Sequence, residues 1–347
     1  PPVAAQEARA DERTAAAARV DDARTPGPPA DLFAARGTLR LTLRTDVRTL
    51  RRDRRGDEPE YLPAALLVHG EDDTVIEAIP LRVRTRGNFR RTSPACWFPP
   101  VRLNFRKKDV PGTAFHGQDK LKLVTHCRER DEFEQNVLEE FLAYRWYNEI
   151  TDASFRVRLV RITYADTTGR DDDVTRYGFL IEDEDRMAER LGGEARDLEN
   201  VHPAVLDGQA AATLDVFQYL IGNTDWSAYT GHNVKFVRLE GRHVPVGYDF
   251  DFSGLVEADY ARPDPSLRIG SVRQRLFRGF CRPAVDYEAV FRRFLDRRER
   301  LYALAREQEG FEERSVRRAV EYLDDFFEVL DDPGKTRKRI LEACREL

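Results

Sequence analysis

The sequence predicts a two-lobed α+β fold, with a β-rich N-terminal lobe carrying one helix and a mainly α C-terminal lobe. Three observations carry this prediction. Short segments of period-two alternation fill residues 36–127. One long helical segment, residues 131–150, stands between them and two further strands. From Asp185 onward the pattern is largely helical, so the lobes are residues 34–184 and 185–347, joined near Phe179 to Asp185.

The elements follow in order. Residues 1–33 are Ala-rich and, up to Ala30, hold no aromatic residue, so they are expected to form a disordered lead. Val3-Ala4-Ala5 has the small-residue spacing of a signal-peptidase site, which makes export the expectation and an Ala-rich cytosolic tail the alternative. "TLRLTLRTD" alternates Leu39, Leu41 and Leu43 with polar residues, and "AALLVHG", "VIEAIPLRVRTRG", "VRLNF" and "DKLKLVTHC" continue the strand series. Asp131 favours the start of the helix. "FRVRLVRITYAD" and "TRYGFLIED" pair through a polar hairpin, and a helix over 208–221 stops at Gly222. "NVKFVRL" and "RHVPVGYDF" form a hairpin turning at Glu240-Gly241. Residues 284–306, 311–331 and 334–346 read as charged amphipathic helices.

Composition excludes some partners. A formal net charge of −5 over 347 residues argues against nucleic acid, which normally calls for a basic excess. No stretch approaches the roughly 18 to 20 apolar residues needed for a membrane span. Four cysteines, Cys96, Cys127, Cys281 and Cys344, permit three disulfide pairings; no pair has zinc-site spacing, and buried thiols are the default for Cys127 and Cys344.

The chemistry gathers around the hairpin. Asn223, Asp225 and Asn233 precede its first strand, and Asp249 and Asp251 end its second, so an antiparallel pairing brings them to one open side. Phosphoryl transfer needs this convergence: a carboxylate to orient or deprotonate the attacking hydroxyl, and oxygen ligands for Mg²⁺. Asp225 is the candidate base, Asn233 and Asp249 are candidate metal ligands, and Asp251 is a second ligand or an outer partner. Asp249 and Asp251 lie between Tyr248, Phe250 and Phe252, which favours partial burial over a solvated strand end. Asn223 and Asp225 also suit a simple turn cap. Arg82, Arg84 and Arg86 share a strand face, which reads first as a solvated sheet surface and otherwise as a contact for phosphates or an acidic substrate; Arg86 is the best functional candidate of the row because it adjoins Gly87, where a backbone can approach closely.

The segment "GNTDW...HN.K...VPVGYDFDFSG" resembles the catalytic core of CotH-type atypical kinases and, more distantly, HipA-type kinases. "RTRGNFRR", "FPPVRLNF", "LKLVTHC" and "YGFLIEDED" resemble successive upstream segments of the CotH type in the same order, so the likeness covers about residues 80–255. It implies a protein-kinase-like fold using ATP with Mg or Mn. It makes Asp225 the catalytic base, Asn233 and Asp249 metal ligands, Lys122 the phosphate-binding lysine and Glu182 the hinge marker. The lysine's partner would be Glu139 or Glu140, between which periodicity does not choose. The Asp225 to Asn233 segment is longer than in the kinase pattern, so an insertion with Trp226 and Tyr229 is expected to bulge out.

The resulting expectation is a kinase that transfers the ATP γ-phosphate to a protein or small-molecule hydroxyl. A nucleotide-binding pseudokinase or structural coat or envelope protein is the alternative, and a metal-dependent phosphohydrolase using Asp249 and Asp251 is a third. Arg262, Arg268, Arg273, Arg275 and Arg278 in the loop over 260–281 either favour an acidic acceptor or pair with acidic residues of the C-terminal helices.

Overall fold

The computed structural model describes residues 31–35, 37–54 and 59–346. Seven strands, β1 (Leu39–Thr45), β2 (Leu62–His69), β3 (Val75–Thr85), β4 (Val101–Phe105), β5 (Lys120–Val124), β6 (Val157–Asp166) and β7 (Val174–Ile181), close into a barrel in the order β1-β2-β3-β4-β5-β7-β6. All neighbours are antiparallel except β1 and β6, whose parallel pairing from Leu39 opposite Val160 to Thr45 opposite Asp166 completes the ring. Alternate residues point inward, as closure requires: Leu41, Leu43, Val68, Val83, Leu103, Leu123 and Ile162 fill the interior. Leu32 and Phe33 are buried in this same cluster, against the expectation of disorder for them, while residues 1–30 lie outside the described residues.

Two short helices, α1 (Val47–Arg52) and α2 (Phe89–Thr92), sit between barrel strands, and α3 (Asp131–Ile150) crosses outside the barrel. Asp131, Glu132 and Glu134 in the first turn of α3 complement its dipole. The helix is buried around most of its circumference, as a helix enclosed on several sides must be. It packs on β7 and on two helices of the C-terminal half. After α4 (Glu184–Arg190) a small sheet forms in the order β10-β9-β8, from β8 (Glu194–Arg196), β9 (Val234–Leu239) and β10 (Arg242–Gly247). The helices α5 (Gly208–Ile221), α6 (Tyr287–Asp296), α7 (Arg298–Arg306), α8 (Glu313–Asp331) and α9 (Pro333–Thr336) follow, the last continued by a wider π-helical turn over Arg337–Leu341. No described helix is long and apolar enough to cross a membrane.

This architecture corrects the predicted fold class. The chain does not form a two-lobed kinase-like fold whose N-terminal lobe is a β region with one helix: its β region is a closed seven-stranded barrel, with α1 and α2 as well as α3 before residue 184. The barrel keeps its own core, and a second core lies across both halves. One apolar cluster runs from Val124 and Phe179 through Phe141, Trp146 and Tyr147 to Phe217, Leu301 and Phe326. The Trp146 indole N–H donates to the Leu301 carbonyl at 3.0 Å inside it. Alternation reports which residues share a strand face, but not which strand lies beside which, so the β1–β6 closure has no local signature.

The described cysteines form two disulfides, Cys96–Cys127 and Cys281–Cys344, so the default of buried thiols does not hold for Cys127 and Cys344. Isolated bridges, Phe98 with Cys127 and Phe280 with Arg345, bring these distant segments together, and sequence spacing carries no trace of them.

Candidate functional site

The site begins at the C-terminal end of α5. Gly222 adopts a left-handed φ of 63° and stops the helix. The Asn223 side chain then accepts the Asp225 backbone N–H at 2.9 Å, and its carbonyl accepts the Trp226 indole N–H at 3.1 Å. Trp226 is therefore buried and folds back, whereas Tyr229 is exposed; only part of the insertion bulges outward. A bridge between Ser227 and His232 returns the loop to β9.

The β9–β10 hairpin turns at Glu240 and Gly241, both left-handed, with Val234 opposite Gly247 at its open end. That end places Asn233 beside Tyr248, whose N–H donates to the Asn233 carbonyl at 3.1 Å. Asn233 (φ 53°) and Asp249 (φ 62°) are both held in the left-handed region. Such conformations cost roughly 1–3 kcal/mol each and recur at functional sites. The Asp249 N–H donates at 2.8 Å to the buried Tyr144 hydroxyl of α3, a support that nothing local to either segment signals.

These residues line one cleft of about 510 Å³ between the outer face of the barrel and the hairpin. The barrel contributes Arg86 and Gly87 after β3, Arg102 from β4 and Lys122 from β5. The opposite wall holds Asp225, His232, Asn233, Lys235, Asp249 and Asp251. Lys122 lies opposite Arg102 in the β4–β5 register. Arg82 and Arg84 point along the same barrel face but stack on the Tyr61 ring at 5.2 and 4.7 Å, leaving Arg86 as the member of the row that enters the cleft. Gly87, at φ +84°, adopts the conformation that glycine tolerates best.

Burial pushes the Lys122 ammonium down to about 8, with Arg86 adding to the effect. No carboxylate lies within ion-pair distance of Lys122 among the described residues; its ammonium sits 5.0 Å from the centre of the Tyr248 ring. Glu140, and not Glu139, borders the cleft, but its partner is Arg90 at 3.7 Å. Burial, and after it the nearby Asp251 charge, holds Glu140 well above the usual carboxylate range. Asp251 is raised as well, by burial and then by Asp249, and one of its oxygens accepts the Tyr260 hydroxyl at 2.8 Å. Asp249 is the more open of the two carboxylates.

Glu182 does not join this group. Its carboxylate accepts Arg190 at 3.0 and 2.8 Å and the Arg156 backbone N–H at 3.0 Å, and it is buried away from the cleft lining. Its neighbours Ile181, Asp183 and Glu184 face the cleft instead. The Arg-rich loop is also largely committed internally: Arg273 pairs with Glu257 at 3.2 Å, Arg275 with Asp325 at 3.8 Å, and Arg278 donates to the Thr224 and Trp226 carbonyls.

The donor set suits a hard divalent cation that shares its shell with phosphates. Among the described residues there is no cluster of three or more His, Cys, Asp or Glu side chains arranged as a metal site. Mg²⁺ does not require one, because it is commonly held by one or two carboxylates together with substrate phosphates and water. Asn233 uses its amide nitrogen toward Asp225, at 2.7 Å to the carbonyl and 3.2 Å to Oδ2, which leaves its amide oxygen and the open Asp249 as oxygen donors. Sequence reading missed Arg102, Lys235, His232 and Tyr144. The outward alternation of "VRLNF" offered a signal for Arg102, whereas Tyr144 is one of many buried aromatics on α3. Comparison with known protein families finds no match, and no curated protein matches the chain.

Proposed function

We propose that this cleft binds ATP with Mg²⁺ or Mn²⁺ and transfers the γ-phosphoryl group to a hydroxyl of a protein or small-molecule acceptor, the activity that the resemblance to CotH-type kinases implies. The reading rests on one observation: a single cleft of nucleotide size sets Arg86, Arg102 and Lys122 on one wall against Asp225, Asn233 and Asp249 on the other. Cations on the first wall suit phosphate oxygens, and oxygen donors on the second suit a metal ion and a hydroxyl proton. No part of it depends on a kinase fold.

In this scheme Arg86 and Lys122 hold the phosphates, while Asp249 and the Asn233 amide oxygen hold the cation. When bound, the cation neutralises phosphate charge. The acceptor oxygen forms a bond to the γ-phosphorus, the bond to the ADP oxygen breaks, and Asp225 takes the hydroxyl proton. A cavity of about 300 Å³ lined by Thr224, Trp226, Thr230 and Arg262 adjoins the cleft, and Asp225 and His232 border both, so an acceptor placed there meets the nucleotide at Asp225. The two disulfides fit an oxidising compartment, in keeping with the export expected from the sequence.

A second reading, nucleotide binding without transfer, is favoured by the Asp225 carboxylate already accepting His232 and Asn233. Incubation of the full chain with γ-labelled ATP, Mg²⁺ or Mn²⁺ and a generic protein acceptor separates the readings. Metal-dependent label on protein is the expected result. Saturable ATP binding with no label supports the second reading, and absence of ATP binding overturns both.

A further inference from the structure

The insertion between Asp225 and Asn233 is a small hairpin. The Ser227 N–H donates to the His232 carbonyl at 2.9 Å, the two residues bridge in antiparallel fashion, and Tyr229 and Thr230 stand exposed at the tip. Gly231, left-handed at φ 71°, turns the chain back toward Asn233. The hairpin thereby runs along the boundary between two pockets: Asp225 and His232 border both, Gly231 lines the nucleotide cleft, and Ser227 and Thr230 line the adjoining cavity. Tyr229 lines neither.

Three hydroxyl-bearing residues, Thr224, Ser227 and Thr230, line the cavity in which the proposed transfer places its acceptor. They are not equivalent. Thr224 is only 6% exposed, and Ser227 Oγ accepts the Thr230 N–H at 3.2 Å inside the hairpin. Thr230 is exposed at the tip, where a side chain changes rotamer within nanoseconds, so its hydroxyl is the one best placed to meet a phosphate. The candidate base is open as well. The Asp225 side chain is 40% exposed, a shallow position that suits a short hydroxyl-bearing side chain rather than a long one.

We propose that this chain phosphorylates itself at Thr230, and that the phosphate then occupies the acceptor cavity and slows further transfer. The inference rests on the phosphotransfer reading above. Thr230 Oγ1 bonds to the γ-phosphorus, the bond from that phosphorus to the ADP oxygen breaks with its electron pair leaving on ADP, and Asp225 takes the hydroxyl proton. The product meets Arg262, Arg278 and His232 in the cavity walls, with Asp225 and Asp264 in opposition. Each guanidinium uses Nη1 for backbone carbonyls, Arg262 for those of Asp259 and Ala261 and Arg278 for those of Thr224 and Trp226. Each also carries further N–H groups of the kind that pair with phosphothreonine oxygens.

The full chain, incubated with γ-labelled ATP and Mg²⁺, digested and mapped by mass spectrometry, is expected to carry phosphate on Thr230. The labelling rate per molecule is expected to stay constant as the protein is diluted, as transfer within one chain requires. Thr230→Ala is expected to lose this label and Thr230→Ser to keep it; both are changes at an exposed position. Chain preincubated with unlabelled ATP is expected to label a generic protein acceptor severalfold more slowly than untreated chain, and Thr230→Ala to show no such slowing. Label on the acceptor with none on Thr230, phosphate on Ser227 or Tyr229 in its place, a rate per molecule that rises with protein concentration, or an acceptor rate untouched by preincubation each overturns this inference and leaves the phosphotransfer reading standing. Absence of label on both the chain and the acceptor overturns the two together.

Discussion

His232 Nε2 lies 2.9 Å from Asp225 Oδ1, and His232 forms part of the wall between the cleft and the adjoining cavity. The Asp225 hydrogen bond raises the histidine against partial burial, with the Asp225 and Asp249 charges in support and Arg278 in opposition. Protonated His232 therefore ties up the carboxylate that the proposed transfer uses as a base. We expect transfer to decline as pH falls through this raised value, and the decline to move to lower pH in His232→Gln. The pH dependence of kcat/KM in the two proteins checks this; superimposable profiles would remove His232 from the mechanism.

Asp249 and Asp225 should separate binding from transfer. Asp249→Ala removes the open carboxylate beside Asn233 and is expected to abolish metal-dependent ATP binding. Asp225→Ala should keep binding and lower transfer by roughly 10²–10⁴-fold, the usual range for losing a general base. Calorimetry of Mg²⁺ and ATP with each variant distinguishes them. Equal loss of binding would make Asp225 a ligand or a structural cap.

The hairpin and its acidic ends were legible because short-range rules govern them: a glycine stops α5, two left-handed residues make the turn, and strand pairing brings the ends together. Lys122 could be named, yet telling it from Lys120 took the structure, where Lys120 is exposed and Lys122 faces the cleft. Barrel closure and both disulfides depend on contacts between segments distant in sequence, which no local pattern records. Glu182, the hinge marker that the resemblance implies, turns its carboxylate to Arg190, a pairing that no local pattern records.

Lys122 supplies a pH test of phosphate binding. Its ammonium is pushed down to about 8 in the free protein, so its charge is lost as pH rises through that value. ATP affinity is expected to fall between about pH 7 and 9 in the wild type. Lys122→Arg, which stays charged across this range, should flatten the dependence, and Lys122→Met should weaken binding throughout. Equilibrium titrations across the range check this, and identical slopes for wild type and Lys122→Arg would place the titrating group elsewhere.

The disulfides close separations of 31 and 63 residues. Chain-entropy arguments assign each about 3–4 kcal/mol. Paired Cys281→Ala and Cys344→Ala changes should lower the denaturant midpoint by a corresponding amount, and reductant should then destabilise the variant less than the wild type. An unchanged midpoint would mean that the C-terminal segment is held by its other contacts.

Glu139 offers a stability test independent of activity. It is buried on α3, receives one hydrogen bond from Asn136 at 3.3 Å, and is raised to about 7, first by burial, with Arg318 opposing and Glu257 adding to the rise. The folded protein therefore binds this proton more tightly than the unfolded chain, in which the carboxyl titrates near its ordinary 4.5. The stability so contributed is fully present below about pH 4.5 and is lost as pH rises through about 7. At pH 8 the folded state holds a buried charge, at a cost on the order of 3 kcal/mol. Glu139→Gln keeps the shape and cannot ionise. Its denaturation midpoint should match the wild type near pH 4 and exceed it progressively toward pH 8. A constant difference across that range would show that Arg318 and Arg273 neutralise the charge at no net cost to folding.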